Sequence, residues 1–556
     1  MLLLALTFAV LATAPKTAPE AAAPVIRPQY PSEEALRRYA QGRFLEESGR
    51  RDMALGEYAR ALVLDEKSGS LARRMSEASA INGEPARSLE FAERAIALDR
   101  NDARAQWLKG TALINLGRQR ESLEPLQAAT ALDSERVEYQ RTLGRAAESV
   151  DRLDLAVKSY RRTVWLDPDD AESWFQLAAG EARLGHFGAA DSALTEVAEL
   201  NPMRPGLAFL QGWVNENMGR SERAMELYRQ HLLAHPNDVE TRRRAVSLLA
   251  RDKRYEEAWR EARTLARDRP DDRESSEIEA DLAYLAGHAA DGDKVVDRMR
   301  KRWPDDVLVM ASTIALLGRH GRAARAVKEA EAWAAARPEN YHGHLIAGRA
   351  RTLNKQPAEA LAHFRRAVEI APDSLPPRLM LARFFEQEKR LPEAEKVWTE
   401  AQARFPDHNG VAFDLAGVRE RIGDLAGAET AVRDVLKREP ENPTALNFLG
   451  YLWADHNQNL DQAVDLIGKA ITADPDNGAY IDSLGWAYYR MGRLAEARVQ
   501  LERAVRLTSG DAVVLEHLGD VYKDLSLKDL ALKQYRQALA ADPDNARLRA
   551  KLEALR

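Results

Sequence analysis

The chain has 556 residues, of which 30% are charged and 7% aromatic, with a formal net charge of −6 and no cysteine. No excess of Lys and Arg exists to neutralise phosphates, which argues against nucleic-acid binding. The lack of cysteine excludes disulfides, thiolate metal sites and a lipidated N-terminal cysteine. A single core stops growing at roughly 250 to 300 residues, so this length implies either several globular domains or a repeat array.

Leu2 to Ala12 is an apolar stretch too short to span a bilayer, followed by Ala12-Thr13-Ala14 and an Ala/Pro-rich segment. Residues 1–14 are expected to be a signal peptide, although no Lys or Arg precedes the apolar stretch and Pro15 resists cleavage directly before it. Residues 15–34 then form an Ala/Pro-rich tether with nothing to bury. The expected location is periplasmic or secreted, with the cytoplasm as the alternative if the true start lies elsewhere. No transmembrane span is expected.

From Ala35 onward one design recurs every 34 residues. In its first three copies Glu66, Arg100 and Ser134 stand at the closing position, while Ala61, Ala95 and Ala129 keep the small residue five places earlier. Arg38 and Gln41 replace apolar residues in the first copy, which is expected to be a capping unit. Nine prolines follow in unbroken phase: Pro168, Pro202, Pro236, Pro270, Pro304, Pro338, Pro372, Pro406 and Pro440. Glycines such as Gly185, Gly219 and Gly492 punctuate the middle of a copy, where a left-handed residue ends a helix at no steric cost. Proline stops the next helix, and Asp or Asn caps the one after, as at Asp167 to Asp170. Gly292 and Trp333 break the pattern in the eighth and ninth copies, where altered curvature is expected. The phase slips by one residue to Pro475, and the extra residue is placed in the turn at Asn457, Gln458 and Asn459. The best-formed copies span 443–545. Beyond them Leu548, Leu552 and Leu555 predict a capping helix over 546–556. The reading is all-α: about fifteen helical hairpins over 35–545.

Residues Ala512 to Asn545 show the unit most clearly. Leu515, Leu518, Gly519 and Tyr522 share one helical face, Ala531, Tyr535 and Ala538 a second, and Pro543 closes it. This unit resembles the tetratricopeptide repeat, a 34-residue helical hairpin. The last three copies, with Asp482-Ser483-Leu484-Gly485-Trp486 followed by Tyr489-Arg490, also resemble the tails of bacterial envelope repeat proteins. The resemblance implies a right-handed α-solenoid whose shared activity is protein binding, with positions 2, 5, 9, 12 and 13 of each first helix lining a groove. The family's peptide-carboxylate clamp uses Lys at position 5 with Asn at position 9, and no copy here carries that pair.

No phosphate-binding glycine loop, His-Glu-x-x-His or Gly-x-Ser-x-Gly motif is present, so no enzyme, cofactor or metal site is expected. His342 and His344 are two apart on a helix and point in different directions. The runs Arg242 to Arg244 and Arg300 to Arg302 read as solvated helix faces. The expected groove comprises Asn447, Tyr451, Asp455, Asp482, Trp486, Tyr489, Arg490, Glu516, Asp520 and Lys523, with Trp486 as its anchor. Aromatic faces beside carboxylates suit an extended peptide or a sugar. Residues 443–545 hold fifteen Asp and Glu against ten Lys and Arg, favouring a positive or donor-rich partner. Phe175, Phe209, Trp213 and Asn217 form a secondary patch. The function expected is a non-catalytic protein-binding scaffold of the bacterial cell envelope. The alternative is an auxiliary subunit for polysaccharide export or glycan handling.

Overall fold

The computed structural model describes residues 32–555. These form 31 helices and, among the described residues, no strand. Successive helices pair into hairpins, in two compact units divided between Asp268 and Arg269. The first unit holds hairpins one to seven, from Glu33–Glu47 with Arg51–Leu64 to Val239–Arg251 with Tyr255–Asp268. The second holds hairpins eight to fifteen, from Arg273–Leu285 with Ala289–Arg302 to Ala512–Asp524 with Lys528–Ala541, and the terminal helix Ala546–Leu555. The α-solenoid of about fifteen hairpins expected from the 34-residue period is therefore what the described residues build. The expected signal peptide and most of the expected tether lie outside the described residues.

Local chemistry sets the boundaries. Asp102, Asp170, Asp306, Asn442, Asn477 and Asp511 each accept a backbone N–H of the first turn of the helix they precede, replacing a partner the helix cannot supply itself. Within a hairpin one left-handed residue reverses the chain. Where glycine is missing there, Asp151, Lys253, Lys355, Lys389 and Ser526 take the same conformation, with φ from 57° to 61°, at the cost a Cβ imposes. The turn of hairpin thirteen has one residue more than usual, and both Asn457 (φ 55°) and Asn459 (φ 44°) are left-handed there. Asparagine tolerates that region better than most residues.

The core of each hairpin is a large side chain of one helix laid on a small residue of the other. A Cβ at Gly519 would lie 2.5 Å from the Tyr535 ring, and one at Gly144 would lie 2.8 Å from the Tyr160 ring. Hairpin eight inverts the pair: Tyr284 comes from the first helix and Gly292 from the second, where a Cβ would meet the tyrosine ring at 2.8 Å. Trp333 is buried, donates its indole N–H to the Pro304 carbonyl (2.8 Å), and is accommodated by Gly343 on the next helix. The two deviations are thus compensated by paired substitutions.

Candidate functional site

In the second unit, the first helices of hairpins thirteen to fifteen are Pro443–Asp455, Gly478–Arg490 and Ala512–Asp524. A spacing of four places Asn447, Tyr451 and Asp455 on one face of the first, and Asp482, Trp486 and Arg490 on one face of the second. The structure brings these stripes together, and much of the chemistry is turned inward.

Trp486 is the centre. It is only 5% exposed, and its indole N–H donates to Asp455 Oδ1 (2.9 Å). Its ring stacks on His517 (centroids 4.1 Å, 18°) and on Tyr489 (4.9 Å, 25°). Asp482, also buried, bonds His517 Nδ1 at 3.0 Å. Glu516 and Asp520 are buried beneath the terminal helix, whose Lys551 ammonium donates to both at 2.6 Å. Asp520 also accepts the Tyr535 hydroxyl (2.7 Å), and Arg547 reaches Glu516 at 3.1 Å. The expectation that Trp486 is an open anchor is corrected: with Asp482, Glu516 and Asp520 it forms the joints between successive repeats. Trp486 is enclosed because aromatic rings from its own helix and the next one flank it.

The other residues of the expected groove remain accessible in part. Asp455, Tyr451, Tyr489 and Arg490 are half-buried, and Lys523 is exposed. Burial first, then the carboxylates of Asp455, Asp482 and Glu420, push the Tyr451 phenol well above its ordinary range. Tyr489 donates its hydroxyl to Asp524 (2.7 Å), and burial with that contact pushes its phenol up as well. Asn447 Oδ1 is buried without a hydrogen-bond partner.

The residues of the secondary patch stay at least partly accessible, and Phe175 and Trp213 pack on one apolar cluster. Phe175 lies under the Arg204 guanidinium (3.1 Å), and Phe209 turns to Tyr228 and His231 of its own hairpin. Trp213 meets Phe187 edge-on (6.2 Å), while Asn217 donates to the Trp213 carbonyl (2.8 Å). His342 stacks on Tyr341 and His344 faces His363 (3.1 Å between Nδ1 atoms), so the pair diverges. Arg242 and Arg244 pair with Glu261 and Glu240, and Arg300 with Glu329.

Sequence reasoning missed one cluster. Glu420, Asp455 and His456 place a ligand atom each within 4.8 Å of one another. Glu420 comes from hairpin twelve, 36 residues before His456, so only a comparison of helix ends across neighbouring repeats would have joined them.

This architecture, hairpin upon hairpin with large-on-small cores, defines a helical-repeat scaffold. Tetratricopeptide repeat models match residues 175–239, 316–374, 351–409, 413–478 and 483–546, together just over half of the chain, and the chain belongs to the tetratricopeptide repeat family. It is 37% identical over 131 residues to a TPR repeat-containing protein of Pseudomonas aeruginosa, covering 23% of this chain and 22% of that protein. It is 32% identical over 100 residues to a chloroplastic tetratricopeptide repeat domain-containing protein of Arabidopsis thaliana, covering 18% and 32%. The chain thus spans a third or less of the length of these curated relatives. Among solved structures it is similar to Naa15/Naa10 bound to HypK-THB (14% identity, 94% of this chain and 96% of that one, TM-score 0.43). It is also similar to YrrB, a TPR protein with an unusual peptide-binding site (20% identity, 33% and 95%, TM-score 0.32). No helix of the described residues is long and apolar enough to cross a membrane.

Proposed function

We propose that this chain is a non-catalytic scaffold of the bacterial cell envelope that binds an extended, positively charged or donor-rich segment of a protein partner along hairpins thirteen to fifteen. The tetratricopeptide repeat marks protein-interaction scaffolds in general, and the finer reading rests on one observation. Tyr451, Asp455, Tyr489 and Asp524 form a partly accessible aromatic and acidic strip over a hydrogen-bonded base. Aromatic rings supply contact area at low entropic cost, and fixed carboxylates set the register of a cationic chain. The glycan alternative needs an open aromatic platform, and burial of Trp486 removes its largest ring.

The test is photo-crosslinking from position 451 or 489 in the envelope fraction of the native host, with position 165, at an exposed tryptophan of the first unit, as control. Crosslinks to one polypeptide from 451 and 489 but not from 165 support the proposal. Crosslinks to glycan, or equal yields from all three positions, would overturn it. The envelope assignment is tested separately by mass analysis of the mature protein. A new N-terminus between Thr13 and Val25 is expected, and an intact Met1 in a cytosolic fraction would remove it.

A further inference from the structure

The cluster at the ends of two neighbouring first helices has the chemistry of a metal site. Glu420 lies in the last turn of Asn409–Ile422, Asp455 is the last residue of Pro443–Asp455, and His456 is its C-cap. His456 Nε2 lies 3.3 Å from Glu420 Oε1, and one atom from each of the three residues falls within 4.8 Å of the others. Ligands held at about 2.0–2.2 Å from one ion stand about 3–4 Å apart, so this spacing needs only side-chain adjustment to close on a cation.

Two features separate this cluster from a chance meeting of surface acids. Asp455 is oriented from behind: Trp486 N–H binds its Oδ1, and the tryptophan is itself locked between Tyr489 and His517. An outer-shell donor of this kind fixes a ligand carboxylate while leaving lone pairs for a metal. Positive charge around the two carboxylates is also sparse. The nearby guanidinium, Arg490, stands 3.9 Å from Asp455, and Arg421 is directed to Glu386 (2.6 Å).

We propose that Glu420, Asp455 and His456 form a divalent transition-metal site of the zinc class, with one imidazole nitrogen, two carboxylate oxygens and water completing the shell. An imidazole beside carboxylates favours zinc and its first-row neighbours over calcium or magnesium, which prefer all-oxygen shells. The ion bridges hairpins twelve and thirteen and sits directly against the base of the Trp486 stack.

The test is isothermal titration of the metal-stripped full chain with Zn²⁺, repeated with Co²⁺ by visible absorption. One equivalent is expected to bind and to raise the melting temperature. Glu420→Gln and His456→Asn should each weaken that binding at least about tenfold, with melting of the metal-free variants close to the parent. Trp486→Phe, which keeps the ligands and loses the indole donor with part of the stacked ring, should bind more weakly than the parent and more tightly than either ligand variant. No binding to the parent, or parental affinity in both Glu420→Gln and His456→Asn, would overturn the site. The first outcome leaves an ordinary imidazole–carboxylate pair, and the second places the metal elsewhere in the chain.

Discussion

Trp486 shows why the side chain at a groove position cannot be assigned from its size alone. Its position in the repeat indicates the face it starts on, but enclosure depends on Tyr489 one turn away and His517 in the next hairpin. Trp486→Ala is therefore expected to cost about 3–5 kcal/mol of stability, as truncation of a buried aromatic does. A thermal melt reads this directly, and an unchanged melting temperature would show the ring to be open. Gly519→Ala should cost about 1–3 kcal/mol, because the new methyl group meets the fully buried Tyr535 ring. Asp170 carries a pH signature. Burial works to raise its carboxyl, but hydrogen bonds from Ser173 O–H (2.6 Å) and N–H (3.1 Å), with Arg141 beside them, outweigh it and hold the group below its usual range. A depressed carboxyl contributes stability above its unfolded value of about 3.9 and loses it as the pH falls through the lower folded value. Asp170→Asn should thus be less stable than the parent at neutral pH, with the gap closing below about pH 4 in denaturant melts.

At the scale of the helix, the sequence was most legible where periodicity and turn chemistry agree. The pairing of helices, the extra residue at Asn457 to Asn459 and the terminal helix could all be read from proline phase and leucine spacing. What could not be read is which side chains meet: within hairpin eight Tyr284 packs on Gly292 in reverse, and between repeats Trp333 needs Gly343 and Glu420 meets His456. Each depends on two residues whose proximity is set by packing rather than by the phase of either. The terminal helix adds another case. Its leucines predicted a solvating cap, but Lys551 also forms ion pairs with Glu516 and Asp520 beneath it. Removing one partner of a buried ion pair leaves a charge without compensation, at about 3–5 kcal/mol when fully enclosed. Lys551 keeps a quarter of its side chain exposed, so Lys551→Met should cost less, about 1–3 kcal/mol after solvent screening. Urea unfolding followed by circular dichroism checks this. An unchanged midpoint would mean that water already serves both carboxylates.

For the whole molecule, the 34-residue period is a statement about cooperativity. Each hairpin buries its own large-on-small core and packs on its neighbours, so stability is approximately a sum of hairpin and interface contributions. Deleting one complete period inside the second unit, residues 375–408, joins two hairpins whose facing surfaces follow the same pattern. Hydrophobic positions Leu381, Ala382 and Phe385 leave together with their partners Ala394 and Trp398. The shortened chain is expected to stay helical and soluble, with a melting temperature lowered by several degrees at most. Deleting only Leu391–Arg404 removes Trp398, which is fully buried, and leaves the first helix of the hairpin with an apolar face and no second helix to cover it. That chain should aggregate or lose helicity. Circular dichroism and size-exclusion chromatography of the two deletions compare them on equal terms. Collapse of the full-period deletion alongside the half-period one would show that the unit folds as one indivisible globule, and the additive description of the repeats would fail.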